Sequence, residues 1–238
     1  INGWYEPQFS SLAGLPEGVR VESIASILKS EPARLEPYLA RKGSYEDRPF
    51  AALNTAFIQD GVYIHIPNHT SLDRPIHFLY YSKTNPDPQG NPTLYSIYPR
   101  NVIVAGKSSQ ATIVESYAGD DGQEYLTNAV TEVSIAPNAS VEHCKLQRES
   151  KQAFHITFTQ VHLDRDSQYN HHAITLGSGF VRNDVSAILD EHGIHCRLNG
   201  LSLENGKRHV DNHTWIRHAK PHCESHELYK GILDEQST

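Results

Sequence analysis

The chain has 238 residues and a formal net charge of −7, from 21 Lys and Arg against 28 Asp and Glu. The basic residues are spread along the sequence, so no polycationic face is available and nucleic acid is excluded as an expected partner. No window approaches the roughly 18 consecutive apolar residues that cross a bilayer, and no signal peptide is recognisable. We therefore expect a soluble, cytoplasmic protein without membrane contact.

The first quarter of the chain carries a helical pattern. Between Val21 and about Ile58, apolar residues recur three or four positions apart, and prolines divide the stretch into short helices. Asp47 is a candidate N-cap for a helix whose first turn contains Pro49. The sequence thus predicts an N-terminal helical and hairpin portion over residues 1–61.

From residue 62 onward, the sequence consists of short runs rich in Val, Ile, Thr and Tyr that are bounded by Gly, Pro, Asn and Asp, which is typical of strands. The strands predicted most clearly cover residues 62–66, 76–81, 101–105, 111–116, 129–135 and 154–161. A stretch with three prolines, residues 81–93, is predicted as a loop.

A weak internal period follows the turns between these strands. A small residue closes the turn before a new strand at Ser109, Ala139, Ser167 and Gly193, with separations of 30, 28 and 26 residues. Stacked coils of a β-helix give such a period, although a β-sandwich also has regularly spaced strands. We predict a mainly β fold, with a parallel β-helix (solenoid) core over residues 62–238 and a small helical N-terminal portion.

The three cysteines are an odd number in a chain too long to need disulfides, which favours a reducing compartment. Cys144 and Cys196 lie in segments of alternating polarity and are predicted to be buried structural thiols. Cys223 is the thiol whose reactivity we would test.

The densest group of the fifteen histidines runs from His209 to His226. If the segment from His222 is a strand, His222, Glu224 and His226 share one face and Cys223 lies on the other. Zinc or iron would need three or four such ligands to converge. A metal-dependent β-helical enzyme using this group is the alternative function, with His222, Cys223 and His226 as weak candidate ligands, whereas surface histidines are the simpler interpretation.

Other motifs lack the context that their chemistry needs. Gly106, Lys107 and Ser108 match the end of a phosphate-binding loop, but Asn101 stands where its first glycine belongs. Ser178 lies between two glycines without the pattern of a hydrolase nucleophile, so we predict a flexible turn there. A carbohydrate-active β-helix would need aromatic rows, and the chain has two tryptophans. We predict no catalytic and no cofactor-binding residues.

Three stretches carry a resemblance to a known family: LNGLSLENGKRHVDNHTWIRHAKPHCESHELYKGIL (198–233), NVIVAGKSSQATIVESY (101–117) and NASVEHCKLQ (138–147). They resemble the SufB/SufD family of iron-sulfur cluster assembly scaffold proteins, and its SufD branch more than its SufB branch. The resemblance implies a non-catalytic scaffold subunit of a SufBCD complex, paired with a SufB-like paralog and a SufC-like ABC ATPase. The complex would assemble the iron-sulfur cluster, and this chain alone would bind no cofactor.

The resemblance also implies that family segments are missing. The chain has no methionine and stops soon after Leu233, before the family's later core strands and C-terminal helical region. We expect a piece of a longer protein, truncated at the C-terminal side of its β-helix, to which no functional residue of the family can be transferred. An exposed last coil would seek a partner, so we expect homodimers through the edge at residues 227–233. In a plant, the compartment would be the plastid stroma.

Overall fold

The computed structural model describes residues 1–41, 48–83 and 93–238. Within these ranges the chain is mainly β and forms a parallel β-solenoid with two short α-helices, as the sequence predicts. The helices are α1 (Ile24–Ser30) and α2 (Pro49–Ala56), and short 3₁₀ turns cover Pro7–Phe9 and Pro32–Arg34. None of the described helices is long and apolar enough to cross a membrane.

The strands, in chain order, are β1 (Arg20–Ser23), β2 (Val62–Ile66), β3 (Ile76–Ser82), β4 (Tyr95–Ile97), β5 (Arg100–Ala105), β6 (Gln110–Gly119), β7 (Tyr125–Ile135), β8 (Ser140–Arg148), β9 (Phe154–Leu163), β10 (Gln168–Thr175), β11 (Phe180–Leu189), β12 (His195–Glu204), β13 (His209–His218) and β14 (Glu224–Leu233). All the strands that were predicted most clearly are present, and most are longer than predicted. The predicted loop over residues 81–93 lies mostly outside the described residues.

From β5 onward, successive strands alternate between two sheets. The first sheet has the order β1-β2-β5-β7-β9-β11-β13, with β4 also paired to β7, and the second has the order β14-β12-β10-β8-β6-β3. Among the described strands every pairing is parallel except that of β1 with β2. Each coil therefore adds one strand to each sheet, and equivalent residues lie directly above one another.

The corner that leads from the first sheet to the second repeats from coil to coil. Ser109, Ala139 and Ser167 are fully buried there. The amide of Ser140 donates to the carbonyl of Ser109 at 2.9 Å, and that of Gln168 donates to Ala139 at 2.9 Å. A small side chain fits this corner because the neighbouring corners stack directly on it.

The fourth predicted corner position is one residue early. His195 donates its amide to the carbonyl of Ser167 at 3.1 Å, so Ile194 is the residue that stacks on Ser167. Gly193 instead has a φ of +73°, the left-handed conformation that glycine adopts without a steric cost. The glycine forms the turn, and the next residue fills the interior.

The beginning of the predicted helical stretch is wrong. Val21 lies in β1, where it pairs with Ile64 of β2 in an antiparallel ladder, and helix α1 follows directly. Ser23 caps α1, because its Oγ accepts from the amide of Ser26 at 3.2 Å. Backbone pairing with an available sheet edge replaced the first helical turn.

The helices cover the outer face of the first sheet. Ile24 and Ile27 of α1 are buried against Tyr63 and Val102, and Ala51 of α2 packs on the next strands of the sheet. The predicted N-cap Asp47 lies outside the described residues, whereas Pro49 occupies the first turn of α2 as predicted. The predicted division at residue 61 stays a prediction.

A buried ion pair joins the helices to the sheet. Arg100 is fully buried and its Nη2 lies 2.8 Å from Oε2 of Glu132. The same guanidinium donates to Oδ1 of Asn54 and to Oγ1 of Thr55 at 3.1 Å each, and the amide of Ala40 donates to Glu132 at 2.8 Å. Because a buried charge is costly unless it is fully paired, this cluster fixes α2 in one position on the sheet.

Candidate functional site

The interior of the solenoid divides into an apolar half and a polar half. The apolar half lies next to the repeated corner and contains Ile103, Val133, Ile135, Val141, Val161, Leu163, Val185, Leu189, Ile194 and Leu198. The polar half, which we call the lumen cluster, contains Glu115, Tyr117, Thr127, Thr131, His143, Lys145, Gln147, Glu149, His155, Thr157, Tyr169, His171, Ser178 and Asn183. All these side chains are buried, so a substrate could reach them only by entering the solenoid.

Glu115 is the hub of the lumen cluster. Its carboxylate accepts hydrogen bonds from Oη of Tyr117 at 2.6 Å and from Oγ1 of Thr131 at 3.1 Å, and it lies 3.0 Å from Nε2 of His143. Burial alone would raise the pKa of this carboxyl, but the His143 hydrogen bond and the charges of His143 and Lys145 lower it to about 2. Glu115 is therefore ionised at neutral pH and holds its neighbours as donors.

His143 connects this hub to the next coil. Its Nδ1 lies 2.9 Å from Oη of Tyr169, so the ring bridges Glu115 and Tyr169. Burial raises the pKa of the Tyr169 hydroxyl well above its usual value. The tyrosine thus keeps its proton, and the three groups form one chain of hydrogen bonds across successive coils.

Lys145 is a fully enclosed amine. Its Nζ donates to Oγ1 of Thr157 at 2.5 Å and to Oδ1 of Asn183 at 2.8 Å. Burial lowers the pKa of Lys145 to about 8, against the opposing effect of the Glu115 and Glu149 carboxylates. The amine can therefore gain or lose a proton close to neutral pH, which an exposed lysine does not do.

Glu149 forms a second hub in the same half. Its carboxylate accepts from Oγ1 of Thr127 at 2.6 Å and from Nε2 of Gln147 at 3.1 Å. Nδ1 of His155 lies 2.6 Å from Oε2 of Glu149, in a close contact that is not aligned as a hydrogen bond. Burial and the charge of Lys145 lower the pKa of His155.

Two members of the lumen cluster depart from expectation. The predicted turn at Ser178 is present, with a φ of +67°, and its side chain is buried and accepts from Nε2 of Gln147 at 2.6 Å, whereas the predicted flexibility of this turn stays a prediction. His171 is 1% exposed, and neither ring nitrogen has a hydrogen-bond partner in the described part of the chain. Burial lowers the pKa of His171 well below its usual value, which keeps the ring neutral.

The alternating pattern of the sequence indicates part of the lumen cluster. In β8, Val141, His143 and Lys145 share the inward face, because every second residue of a strand lies on the same side. The predicted buried thiol at Cys144 is wrong for the same reason, since it lies on the outer face and is half-buried. The prediction for Cys196 is confirmed, because it faces inward and is buried.

The structure separates the predicted histidine group. His209 and His213 lie on the outer face of the first sheet, where Nδ1 of His209 is 2.7 Å from Oγ1 of Thr238 and Nδ1 of His213 is 3.3 Å from Asp184. His226 lies on the second sheet, in β14. The described residues include no group of three His, Cys, Asp or Glu side chains that could hold a metal ion.

The predicted placement of His222 on a strand face is wrong. Its φ is +60°, and β14 begins only at Glu224, so His222 forms the left-handed corner before the strand. Glu224 and His226 do share a face, with Nε2 of His226 4.0 Å from Oε2 of Glu224. Sγ of Cys223 donates to the carbonyl of Glu191 at 3.0 Å. The three candidate ligands thus occupy a corner, a strand start and an outer face.

Two family models match the chain. Residues 89–238 match "SUF system FeS cluster assembly, SufBD core domain", and residues 1–78 match "SufBD protein N-terminal region". Together they cover both the helical cover and the solenoid described above.

Curated relatives give the same result. An iron-sulfur cluster assembly SufBD family protein of Synechocystis is 29% identical over 99% of this chain and 52% of its own length. Protein ABCI7, chloroplastic, of Arabidopsis thaliana is 25% identical over all of this chain and 50% of its own length. The iron-sulfur cluster assembly protein SufD of Escherichia coli is 26% identical over 58% of this chain and 32% of its own length. The chain thus spans about half the length, or less, of these relatives.

Proposed function

Because the chain belongs to the SufBD family, we propose that it serves in iron-sulfur cluster assembly as a non-catalytic scaffold of the SufD branch. The observation that carries this proposal is the match of the two family models to residues 1–78 and 89–238. In this role the chain works in the cytoplasm, or in the plastid stroma of a plant. The cluster is the product of the complex, and this chain holds no cofactor by itself.

The geometry supports a scaffold because the buried polar groups bond chiefly to one another. The Arg100–Glu132 pair fixes the helical cover, and the lumen cluster fixes the register of successive coils. Such a body keeps its shape when partners bind, which is what a subunit that positions other proteins requires. We propose a SufB-like paralog and a SufC-like ABC ATPase as those partners.

The edge of the second sheet is where we place a homodimer of the 238-residue chain. Of the described strands, none pairs with the outer edge of β14, whose residues Leu228 and Ile232 are 55% and 62% exposed. Unpaired backbone amides and carbonyls together with exposed apolar side chains favour pairing with another strand. A second copy of the 238-residue chain would satisfy this edge.

Co-purification tests the scaffold role. The tagged full-length parent protein, co-expressed with its SufB-like and SufC-like partners without oxygen, is expected to retain both through size exclusion. Light scattering on the 238-residue chain alone tests the homodimer. If the parent elutes without either partner, the scaffold proposal is wrong.

A single substitution tests whether this chain takes part in nucleotide binding. Lys107→Ala alters the exposed segment that matches the end of a phosphate-binding loop. We expect ATP hydrolysis by the assembled complex to stay within about twofold of the wild-type rate. A loss of hydrolysis in an intact complex would indicate that this chain binds nucleotide.

Metal analysis tests the alternative function, a metal-dependent enzyme. This alternative requires stoichiometric metal in the parent protein and its loss in a His222→Ala, His226→Ala variant.

A further inference from the structure

A groove of about 990 Å³ runs along the outer face of the first sheet, beside α2 and across β9, β11 and β13. It begins where the helical cover ends. Its lining includes Arg48 at the start of α2, Phe158 on β9, Ile188 on β11, and Trp215 and Arg217 on β13. Within the described residues, the groove crosses three strands.

The arginines of the groove differ in how their charge is balanced. Arg182 donates to Asp184 at 2.9 and 3.1 Å and to Asp211 at 2.7 Å, so its charge is compensated. Arg48 and Arg217 have no carboxylate partner in the part of the chain that the structure describes. Within the described residues, the groove therefore presents two arginines without a carboxylate partner, on a chain whose net charge is −7.

Aromatic side chains also line the groove. Trp215 is 43% exposed, and its register neighbours are Ser186 on β11 and, one strand further, Gln160 on β9. The guanidinium of Arg48 lies 4.4 Å from the centre of the Phe158 ring, which is a cation–π contact. The groove thus combines an exposed tryptophan with arginines, two residue types that are enriched in binding hot spots.

We propose that this groove binds an acidic peptide segment of a partner protein. Carboxylates of the segment meet Arg48 and Arg217, and an aromatic or aliphatic side chain between them covers Trp215. Arginine suits this task because its planar fork binds carboxylates through two parallel hydrogen bonds. An open groove across three strands fits an extended chain better than a small ligand, which closed pockets enclose on most sides. This partner surface is additional to the β14 edge of the scaffold proposal.

Intrinsic fluorescence measures the interaction directly. The chain contains two tryptophans, so a Trp4→Phe background leaves Trp215 as the sole reporter. The probe is a synthetic peptide of five acidic residues with one central Phe, and its control replaces each Glu and Asp by Gln and Asn. We expect a saturable change in Trp215 emission with the acidic peptide only, and weaker binding as ionic strength rises.

Charge variants locate the site. Arg48→Gln with Arg217→Gln is expected to weaken binding at least tenfold. Arg197→Gln is the matched control, because Arg197 is an exposed arginine on the outer face of the second sheet. Its affinity is expected to stay within twofold of wild type, and circular dichroism confirms that all variants are folded.

Three results would overturn the proposal. Equal binding of the neutral peptide would show that charge does not select the ligand. An equal loss in the Arg197→Gln control would indicate attraction by the whole surface. Tighter, variant-sensitive binding of ATP, inorganic phosphate or an oligonucleotide of the same charge would assign the groove to that ligand. Because none of these readouts requires a paralog or an ATPase, failure here is distinct from failure of the scaffold proposal.

Discussion

In the apolar half of the interior, Leu163 and Leu189 lie in register on neighbouring strands and carry no polar atom that needs a partner. In the polar half, Glu115 requires donors from His143 and Tyr117 at fixed distances of 3.0 and 2.6 Å. Both halves are built on the same parallel ladders. They differ in what happens when one side chain is lost.

The apolar half gains free energy in proportion to the area it buries, so neighbours can partly close a gap. The polar half has no such tolerance, because a buried donor without an acceptor retains its full desolvation cost. We infer that the apolar half supplies most of the stability, whereas the polar half enforces one register of the coils. The following predictions are ordered from the largest expected effect to the smallest.

Removing the hub of the polar half should have the largest effect. Glu115→Ala leaves the buried groups of Tyr117, Thr131 and His143 without their acceptor, and we expect the free energy of unfolding to fall by about 4 kcal/mol. Chemical denaturation measures it. Glu142→Ala, which removes a half-exposed carboxylate on the outer face of β8, is the control and should cost less than about 1 kcal/mol. Similar losses in both variants would show that the buried position of Glu115 carries no special cost.

Truncation in the apolar half should cost somewhat less. Leu163 is fully buried, and Leu163→Ala should lower the free energy of unfolding by about 3 kcal/mol because it leaves a cavity. Leu163→Met keeps the volume and should cost less than about 1.5 kcal/mol. If the methionine variant is as unstable as the alanine variant, shape rather than buried area dominates this half.

The polar half should also respond to pH. Lys145 has a pKa of about 8 in the folded chain against 10.5 when exposed, so the unfolded chain binds more protons between these values. The free energy of unfolding should therefore rise with pH in this window, by about 1 kcal/mol per pH unit at most. Denaturation at pH 8 and 9.5 should show this rise in the wild type and lose it in Lys145→Met. A rise that persists in the variant would assign the titration to another group.

The smallest effect is expected at the last corner. His222 has a φ of +60°, which glycine adopts without strain, so His222→Gly should change the free energy of unfolding by less than about 1 kcal/mol and need not lower it. Bound metal, measured by elemental analysis, should not change. A loss of metal together with a large loss of stability would restore His222 as a ligand.

Much of the fold follows from local pattern. The β-branched run of Val62–Ile66 predicts a strand, and the structure has a strand there. Gly193 predicts a corner, and the structure has that corner, although the residue that stacks in it comes one position later than predicted. The helical start failed at Val21 because β2, which lies far along the chain, offered that segment a strand partner. Local propensity contains no information about a strand partner that is distant in sequence.

The amino-acid sequence by itself determined that this protein is mainly β, that its strands recur at a near-constant period, and that short helices precede them. Only the tertiary structure decided that Glu115 meets His143, that Lys145 is enclosed, and that the histidines from His209 to His226 lie on different faces. The physical reason is that side-chain alternation is local, whereas the stacking of one coil on the next depends on residues about 30 positions away. A one-residue shift in the pairing of one strand with its neighbour would exchange the inward and outward sets of side chains of that strand.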